Sequence, residues 1–241
     1  MRIIALLFLM MLPTLSSAAG FDCEKASTVV EKLICGNAQL SRQDEELSVV
    51  YRRAASQARD KASLTMDQKR WLQHERELCR DENCLKKVCQ ERIEELVRWN
   101  EPAPGDKNIF GNYAIQRDNF IVNPEKGTKD HVKTEDCLTL KPSKGNTLHF
   151  SFNLVGANGH TCSMEGEAVF TGSAYQSVPD ADDPDIPQDC RLQIHIRRNI
   201  IALADPDGAC REYFCGVRAG IDGVEFGRRL KVPRECKPWD R

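Results

Sequence analysis

Apolar residues recur at helical spacing through the first part of the chain. Between Asp22 and Trp99 there is no proline, and hydrophobic positions lie three or four residues apart. This spacing places them on one face of an α-helix. Thr28 and Glu31 have the spacing of a capping box, in which the threonine oxygen accepts a free backbone N–H and the glutamate reaches back to the cap. The pattern predicts a small antiparallel helical bundle over residues 21–99.

The same pattern gives approximate helix limits. The first helix is predicted to end near Cys35, and the second carries its apolar stripe from Leu40 to Ala58. The third is predicted to be capped at residues 65–68, and the fourth to begin at Asp81 or Asn83, because Thr, Asp and Asn favour N-terminal caps.

The hydrophobic period changes to two in the second part of the chain. Two prolines and a glycine interrupt the helical pattern, so residues 100–108 are predicted to be a linker. Apolar and polar residues then alternate at 148–154 and 192–196, as they do in half-buried strands. Residues 109–236 are therefore predicted to form an antiparallel β domain, either a sandwich or a small barrel. The fold class is α+β in two domains.

The N-terminus has the pattern of an export signal. Met1-Arg2 is followed by an apolar run from Ile3 to Leu12 and then by small residues, which predicts a signal peptide over residues 1–19. A membrane-spanning helix needs about 20 apolar residues, so no membrane span is predicted. Cys23 follows Phe21-Asp22 rather than a lipidation motif. These features predict a periplasmic or secreted protein.

Composition narrows the class of protein further. The chain has 34 Lys and Arg against 36 Asp and Glu, which excludes a strongly basic nucleic-acid binder. Its 11 cysteines exceed what packing requires and favour disulfides formed in an oxidising compartment. The predicted disulfide cysteines are Cys23, Cys35, Cys79, Cys84, Cys137, Cys162, Cys190, Cys210, Cys215 and Cys236.

Geometry favours some cysteine pairings without fixing them. Cys79 and Cys84 flank the connection between the third and fourth helices, so a bridge there is feasible and leaves Cys23 for Cys35; a crossed arrangement is the alternative. Cys89 lies on the inward stripe of the fourth helix and is predicted to be a buried free thiol. Its alternative is a bridge to Cys137 or Cys236. The cysteine spacings do not fit a zinc site, so no metal is predicted.

Charged residues also occur on the apolar helix faces. Asp44 shares a face with Leu40, Leu47 and Tyr51, while Arg76 and Arg92 lie on the inner faces of the third and fourth helices. Because an unpaired buried carboxylate is costly, Asp44 is predicted to form a bidentate ion pair with one of the arginines that fixes the bundle register. Tyr51 and Trp71 are predicted to fill the core.

No common catalytic signature occurs in the chain. Gly-x-Ser-x-Gly, His-Glu-x-x-His, phosphate-loop and dinucleotide motifs are missing, so neither an enzyme nor a cofactor is predicted; a metal-dependent hydrolase is the least favoured alternative. Residues 180–189 hold five carboxylates and two prolines, which predict a surface loop. The predicted contacts to a basic protein partner are Asp180, Asp182, Asp183, Asp185 and Asp189. A calcium site is the alternative, but Pro184 interrupts its ligand spacing.

An ordered set of residues spans most of the helical half. It comprises Cys23, Cys35, Leu40, Asp44, Leu47, Tyr51, Gln68, Trp71, Leu72, Arg76, Cys79, Cys84, Leu85, Arg92, Ile93 and Leu96. In this order and spacing the set resembles the N-terminal domain of the LprI-type lysozyme inhibitor family. The resemblance implies an exported bacterial helical domain that binds and occludes lysozyme without catalysis. An envelope module that binds another protein or a wall fragment is the alternative. Cys89 departs from the family pattern, and the β half carries no recognised motif.

Overall fold

Four α-helices occur in the described residues of the first part of the molecule. A computed structural model of the protein describes residues 20–103, 106–123, 125–179 and 188–235; the predicted signal peptide lies outside these ranges. The helices are α1 (Val29–Gly36), α2 (Ala38–Gln57), α3 (Lys61–His74) and α4 (Glu82–Val97). None of the helices in the described ranges is long and apolar enough to cross a membrane.

Helix caps explain where three of the helices begin. The Thr28 side chain accepts the Glu31 backbone N–H at 3.1 Å, and Glu31 accepts the Thr28 N–H at 2.9 Å, so the predicted capping box at α1 is confirmed. Asp81 caps α4 through the Cys84 N–H, which confirms one of the two predicted starts. The predicted cap of α3 at residues 65–68 is wrong. This helix begins five residues earlier, with Asp60 as its cap.

A contact with the β half explains why α3 starts earlier than predicted. Asp60 is held by an arginine of the β half, Arg117, with both carboxylate oxygens 2.6 Å from the guanidinium. The Thr65 hydroxyl donates instead to the Lys61 carbonyl at 2.8 Å, which is a bond that threonine makes inside a helix. Sequence signals for an N-terminal cap are present at both positions, and packing against the β half selects Asp60.

Nine strands form one antiparallel sheet among the residues that the structure describes in the second part of the chain. They are β1 (Gly111–Val122), β2 (Lys129–Pro142), β3 (Thr147–Val155), β4 (Thr161–Phe170), β5 (Tyr175–Ser177), β6 (Gln193–Ile196), β7 (Ile200–Ala204), β8 (Glu225–Gly227) and β9 (Lys231–Val232). The order across the sheet is β8-β7-β6-β5-β4-β3-β2-β1-β9, so the first eight strands pair with their neighbours in sequence. A short helix, α5 (Ala209–Phe214), lies between β7 and β8.

The sheet curls into a nearly closed, barrel-like structure. β8 and β9 lie at opposite ends of the strand order, yet only a three-residue turn, Arg228–Leu230, separates them in the chain. β9 pairs with β1 through Asn112 and Tyr113. One short stretch of chain therefore supplies both edges of the sheet and brings them together. The predicted α+β layout is confirmed at this level.

Side chains fill the interior of the barrel. Alternate residues of β3 point inward, and Leu148, Phe150 and Leu154 are almost completely buried there. Tyr113 is also fully buried, and its hydroxyl donates to the Ile109 carbonyl at 2.7 Å. Small barrels are commonly packed with side chains in this way, so the described interior is a core rather than a channel.

The helices pack on the barrel through a shared apolar cluster. Leu64, Trp71, Ile93 and Trp99 from the helical half belong to the same buried cluster as Ile200 and Ala202 of β7. The chain between the halves also contacts the barrel: the Ala103 N–H donates to the Ile196 carbonyl at 3.0 Å. One buried apolar cluster therefore crosses the boundary between the two parts.

Four disulfides join described residues, with separations of 5 to 53 residues along the chain. They are Cys23–Cys35, Cys79–Cys84, Cys162–Cys215 and Cys190–Cys210. The first two are the bridges that the helix geometry favoured, rather than the crossed arrangement. Cys137 is also disulfide-bonded, while Cys236 lies outside the described residues. Disulfides are typical of proteins outside the reducing cytoplasm.

Cys89 is a buried free thiol, as its position on the inward stripe predicts. Burial raises the pKa of this thiol to about 11, so at neutral pH it is protonated and behaves as a small apolar side chain.

Candidate functional site

The predicted ion pair of Asp44 forms with Arg76, but it is not bidentate. Arg76 Nη1 lies 3.3 Å from Asp44 Oδ1, and Asp44 Oδ2 accepts the Gly20 N–H at 3.0 Å. Arg76 Nη2 is engaged by Glu77 at 2.9 Å, so its fork is divided between two carboxylates. Asp44 is buried, and Tyr51 packs against the helical core. These contacts indicate that Asp44 has a structural role.

Arg92 has a different partner, Asp67. Its guanidinium is fully buried, with Nη2 2.8 Å from Asp67 Oδ1, and it lies between the rings of Trp71 and Trp99, 5.8 Å from each ring centroid. Arg229 reaches the same carboxylate from the barrel at 3.2 Å. Asp67 therefore joins α3, α4 and the turn between β8 and β9.

Sequence reasoning missed Asp67, although a signal was present. It lies four residues before Trp71, a spacing that places both side chains on one helix face. The residue was instead assigned to the predicted cap of α3, where an exposed aspartate is common. The correct helix start puts Asp67 in the middle of α3 and on its buried face.

Most of the predicted partner-binding carboxylates lie outside the described residues. These are Asp180, Asp182, Asp183 and Asp185, while Asp189 is described and exposed. The barrel fixes both ends of the segment that contains them. Ser177 and Leu192 exchange hydrogen bonds of 2.9 and 3.0 Å across its base, and Cys190 is bridged to Cys210.

A cleft of about 430 Å³ lies where the N-terminus of α3 meets the end of the barrel, and we call it the junction cleft. Both halves of the molecule contribute to it. Its charged residues come from the start of α3, from β1 and β2, and from the loop before β8, and its apolar wall comes from the end of β3. The lining is Arg59, Asp60, Lys61, Arg117, Asp136, Leu154, Val155, Gly156, Arg218, Ala219, Gly220, Asp222, Gly223 and Val224.

An ion-pair triad forms the floor of the junction cleft. Arg117 contacts both oxygens of Asp60 at 2.6 Å and, through Nε, Asp136 at 2.7 Å. Asp136 also accepts the Val155 N–H at 2.7 Å. The two carboxylates raise the pKa of Arg117 above its ordinary value despite its burial, so the guanidinium remains charged and the triad locks α3 to the barrel.

The rim of the cleft is more basic than its floor. Arg59 Nη2 lies 2.7 Å from Asp222 Oδ2. Lys61 and Arg218 are both exposed, and no carboxylate oxygen of the described residues lies within 4.0 Å of either charged group. Two cationic groups therefore face the solvent at the mouth of the cleft without an ion-pair partner from this part of the chain.

The described residues contain no group of three or more His, Cys, Asp or Glu side chains that could hold a metal ion. Nothing in the sequence indicates the junction cleft, since its residues come from five separate segments. Alternation places Arg117 on the same face of β1 as the buried Tyr113 and Ile115, but it does not identify the carboxylates that pair with it.

Comparison of the chain with protein-family models, with curated proteins and with solved structures finds no match. The resemblance of the helical half to lysozyme inhibitors therefore stays a prediction.

Proposed function

We propose that the chain is an exported binding protein that inhibits a basic lysozyme without catalysing a reaction. The observation that carries the proposal is the anchored acidic segment. Five carboxylates occur within residues 180–189, and the barrel holds the two ends of this segment together.

Electrostatics supports a basic partner for this segment. A local excess of carboxylates accelerates encounter with an oppositely charged protein. Fixing both ends of a binding segment lowers the conformational entropy that is lost on association. The family resemblance of the helical half supplies lysozyme as the partner to test first.

A cell-wall clearing assay tests the proposal. Purified, oxidised protein lacking residues 1–19 is expected to slow lysozyme at micromolar concentration, and added salt is expected to weaken the effect because it screens exposed charges. Replacing Asp180, Asp182, Asp183 and Asp185 by Asn is expected to abolish most of the inhibition.

A matched control removes the same charge from another surface. Glu45, Glu46, Glu91 and Glu94 are exposed on α2 and α4, and their replacement by Gln is expected to leave inhibition unchanged. Absence of inhibition by the unmodified protein at low salt would contradict the proposal. Capture of a different envelope protein in that case would favour the alternative of an envelope binding module.

A further inference from the structure

We propose that the junction cleft binds the free carboxylate of a short peptide. This site is separate from the acidic segment. Its unpaired groups are cationic, so it suits an anionic ligand, whereas the acidic segment suits a basic protein. The inference does not depend on lysozyme inhibition.

The pairing of charged groups in the cleft favours an anionic ligand. The carboxylates of the lining already have partners: Asp60 and Asp136 share Arg117, and Asp222 accepts from Arg59 and from the Asp205 N–H at 3.1 Å. Glu225 lies behind Asp60 and is bonded to the Asp60 N–H at 3.3 Å. An entering anion meets Lys61 and Arg218, which no described carboxylate neutralises.

The wall that carries Arg218 is fixed before any ligand enters. A Cβ atom at Gly156 would lie 2.2 Å from the Arg218 carbonyl oxygen, so the loop rests directly on the barrel backbone. Arg211 donates to the carbonyls of Val217 and Ala219, both at 3.0 Å. The Cys162–Cys215 bridge ties the start of this loop to β4. A preformed wall reduces the entropy that binding must overcome.

Arg59 is held in place by a second close approach. Gly223 has φ +84°, and a Cβ there would lie 3.2 Å from the Arg59 guanidinium. The guanidinium therefore packs on the glycine backbone while it is paired with Asp222. This arrangement keeps Arg59 at the edge of the cleft, against the loop that also carries Arg218.

The apolar wall selects the kind of anion. Phosphate has no apolar part to place against this wall, whereas a peptide side chain gains free energy by covering it. Leu154, Val155 and Val224 supply an apolar wall for a side chain. The volume of about 430 Å³ lies within the range of small-molecule sites. A monoanionic carboxylate attached to a short peptide fits these features better than phosphate.

Titration of the ¹⁵N-labelled full protein, followed by amide chemical shifts, tests this site. The probes are N-acetyl-alanyl-alanine, its C-terminal amide and inorganic phosphate. The acid is expected to shift the amides of Gly220 and Gly223 and to bind at least about tenfold more tightly than the amide, since a charge-assisted contact is lost.

Two kinds of variant distinguish the contribution of the cationic side chains to binding from that of the shape of the cleft. Lys61→Gln combined with Arg218→Gln is expected to weaken binding about tenfold, whereas Arg53→Gln combined with Lys69→Gln removes two exposed charges elsewhere and is expected to leave it unchanged. Gly156→Ala keeps every charge but displaces the Arg218 loop, so it is also expected to weaken binding, with the remaining spectrum showing that the fold persists.

Three results would overturn the proposal. These are equal binding of the acid and the amide, no shifts at the cleft up to about 10 mM acid, and tighter binding of phosphate than of the peptide acid. If the protein does not inhibit lysozyme but none of these three results is obtained, the proposed function fails and the peptide site stands.

Discussion

At the scale of single residues, buried charge connects the two halves of the molecule. The sequence shows which charged residues lie on apolar faces, and Asp44 does pair with one of the two predicted arginines. It does not show which carboxylate meets Arg92, because Asp67 approaches from another helix while Arg229 approaches from the far end of the chain. Partner choice is set by tertiary arrangement, which periodicity within one element cannot encode.

Replacing Arg92 by Met is expected to destabilise the protein by about 3 to 5 kcal/mol, since the change leaves the buried Asp67 with fewer compensating charges. The midpoint of urea unfolding measures the loss. Adding Asp67→Asn to this variant is expected to recover part of it, because the neutral amide costs less to bury.

The control for this change is Lys87→Met, which alters an exposed residue of the same helix. Its effect is expected to stay within about 0.5 kcal/mol. Equal costs for the two substitutions would show that the Arg92 ion pair contributes nothing specific to stability.

At the scale of elements, regular patterns were enough for the four helices and for two of the strands. Helical spacing predicted the four helices, and alternation predicted β3 and β6. The two-residue strand β9 and the three-residue strands β5 and β8 are too short to show a period. Their positions depend on pairing with longer neighbours, so the sequence could not separate a barrel from a sandwich.

The disulfides are expected to differ in their effect on stability. Cys162–Cys215 spans 53 residues and Cys79–Cys84 spans 5, and a longer closed loop restricts the unfolded chain more. On this basis, replacing each pair by Ala is expected to cost about 4 and about 2 kcal/mol, respectively.

Urea unfolding of the two double variants under oxidising conditions measures the difference. The shorter bridge serves as the internal control, because both substitutions remove the same atoms. A larger loss for Cys79–Cys84 would show that native packing, rather than loop closure, dominates the contribution of these bridges.

At the scale of the whole molecule, the helical half depends on the barrel. Trp99 and Ile93 share a buried cluster with Ile200 of β7, and Asp60 caps α3 while it binds Arg117 of β1. These contacts cross the boundary that the change of hydrophobic period marks in the sequence. The hydrophobic period indicates where the helices end and the strands begin. It carries no information about how much surface the two parts bury against each other.

The full protein is therefore expected to unfold in one cooperative transition. Far-ultraviolet circular dichroism, which follows the helices, and near-ultraviolet dichroism, which follows aromatic packing, are expected to give coincident midpoints. A fragment of residues 20–99 is expected to lack stable helical structure even when it is oxidised, because it exposes the surface that covers β7.

The intact protein under the same buffer conditions is the control for the fragment. A fragment that unfolds cooperatively with native-like helix content would contradict this expectation. Two separated transitions in the intact protein would do the same.

The three-residue turn between β8 and β9 has a consequence for how the chain is made. Residues 225–232 supply the strand that pairs with β7 and the strand that pairs with β1, and they leave the ribosome after β1 to β7. Before these residues are made, a nascent chain can pair β1 to β7, but it lacks the two strands that bring the edges of the sheet together. Translation that stops just before Glu225 therefore yields seven strands whose sheet lacks both of its edge strands.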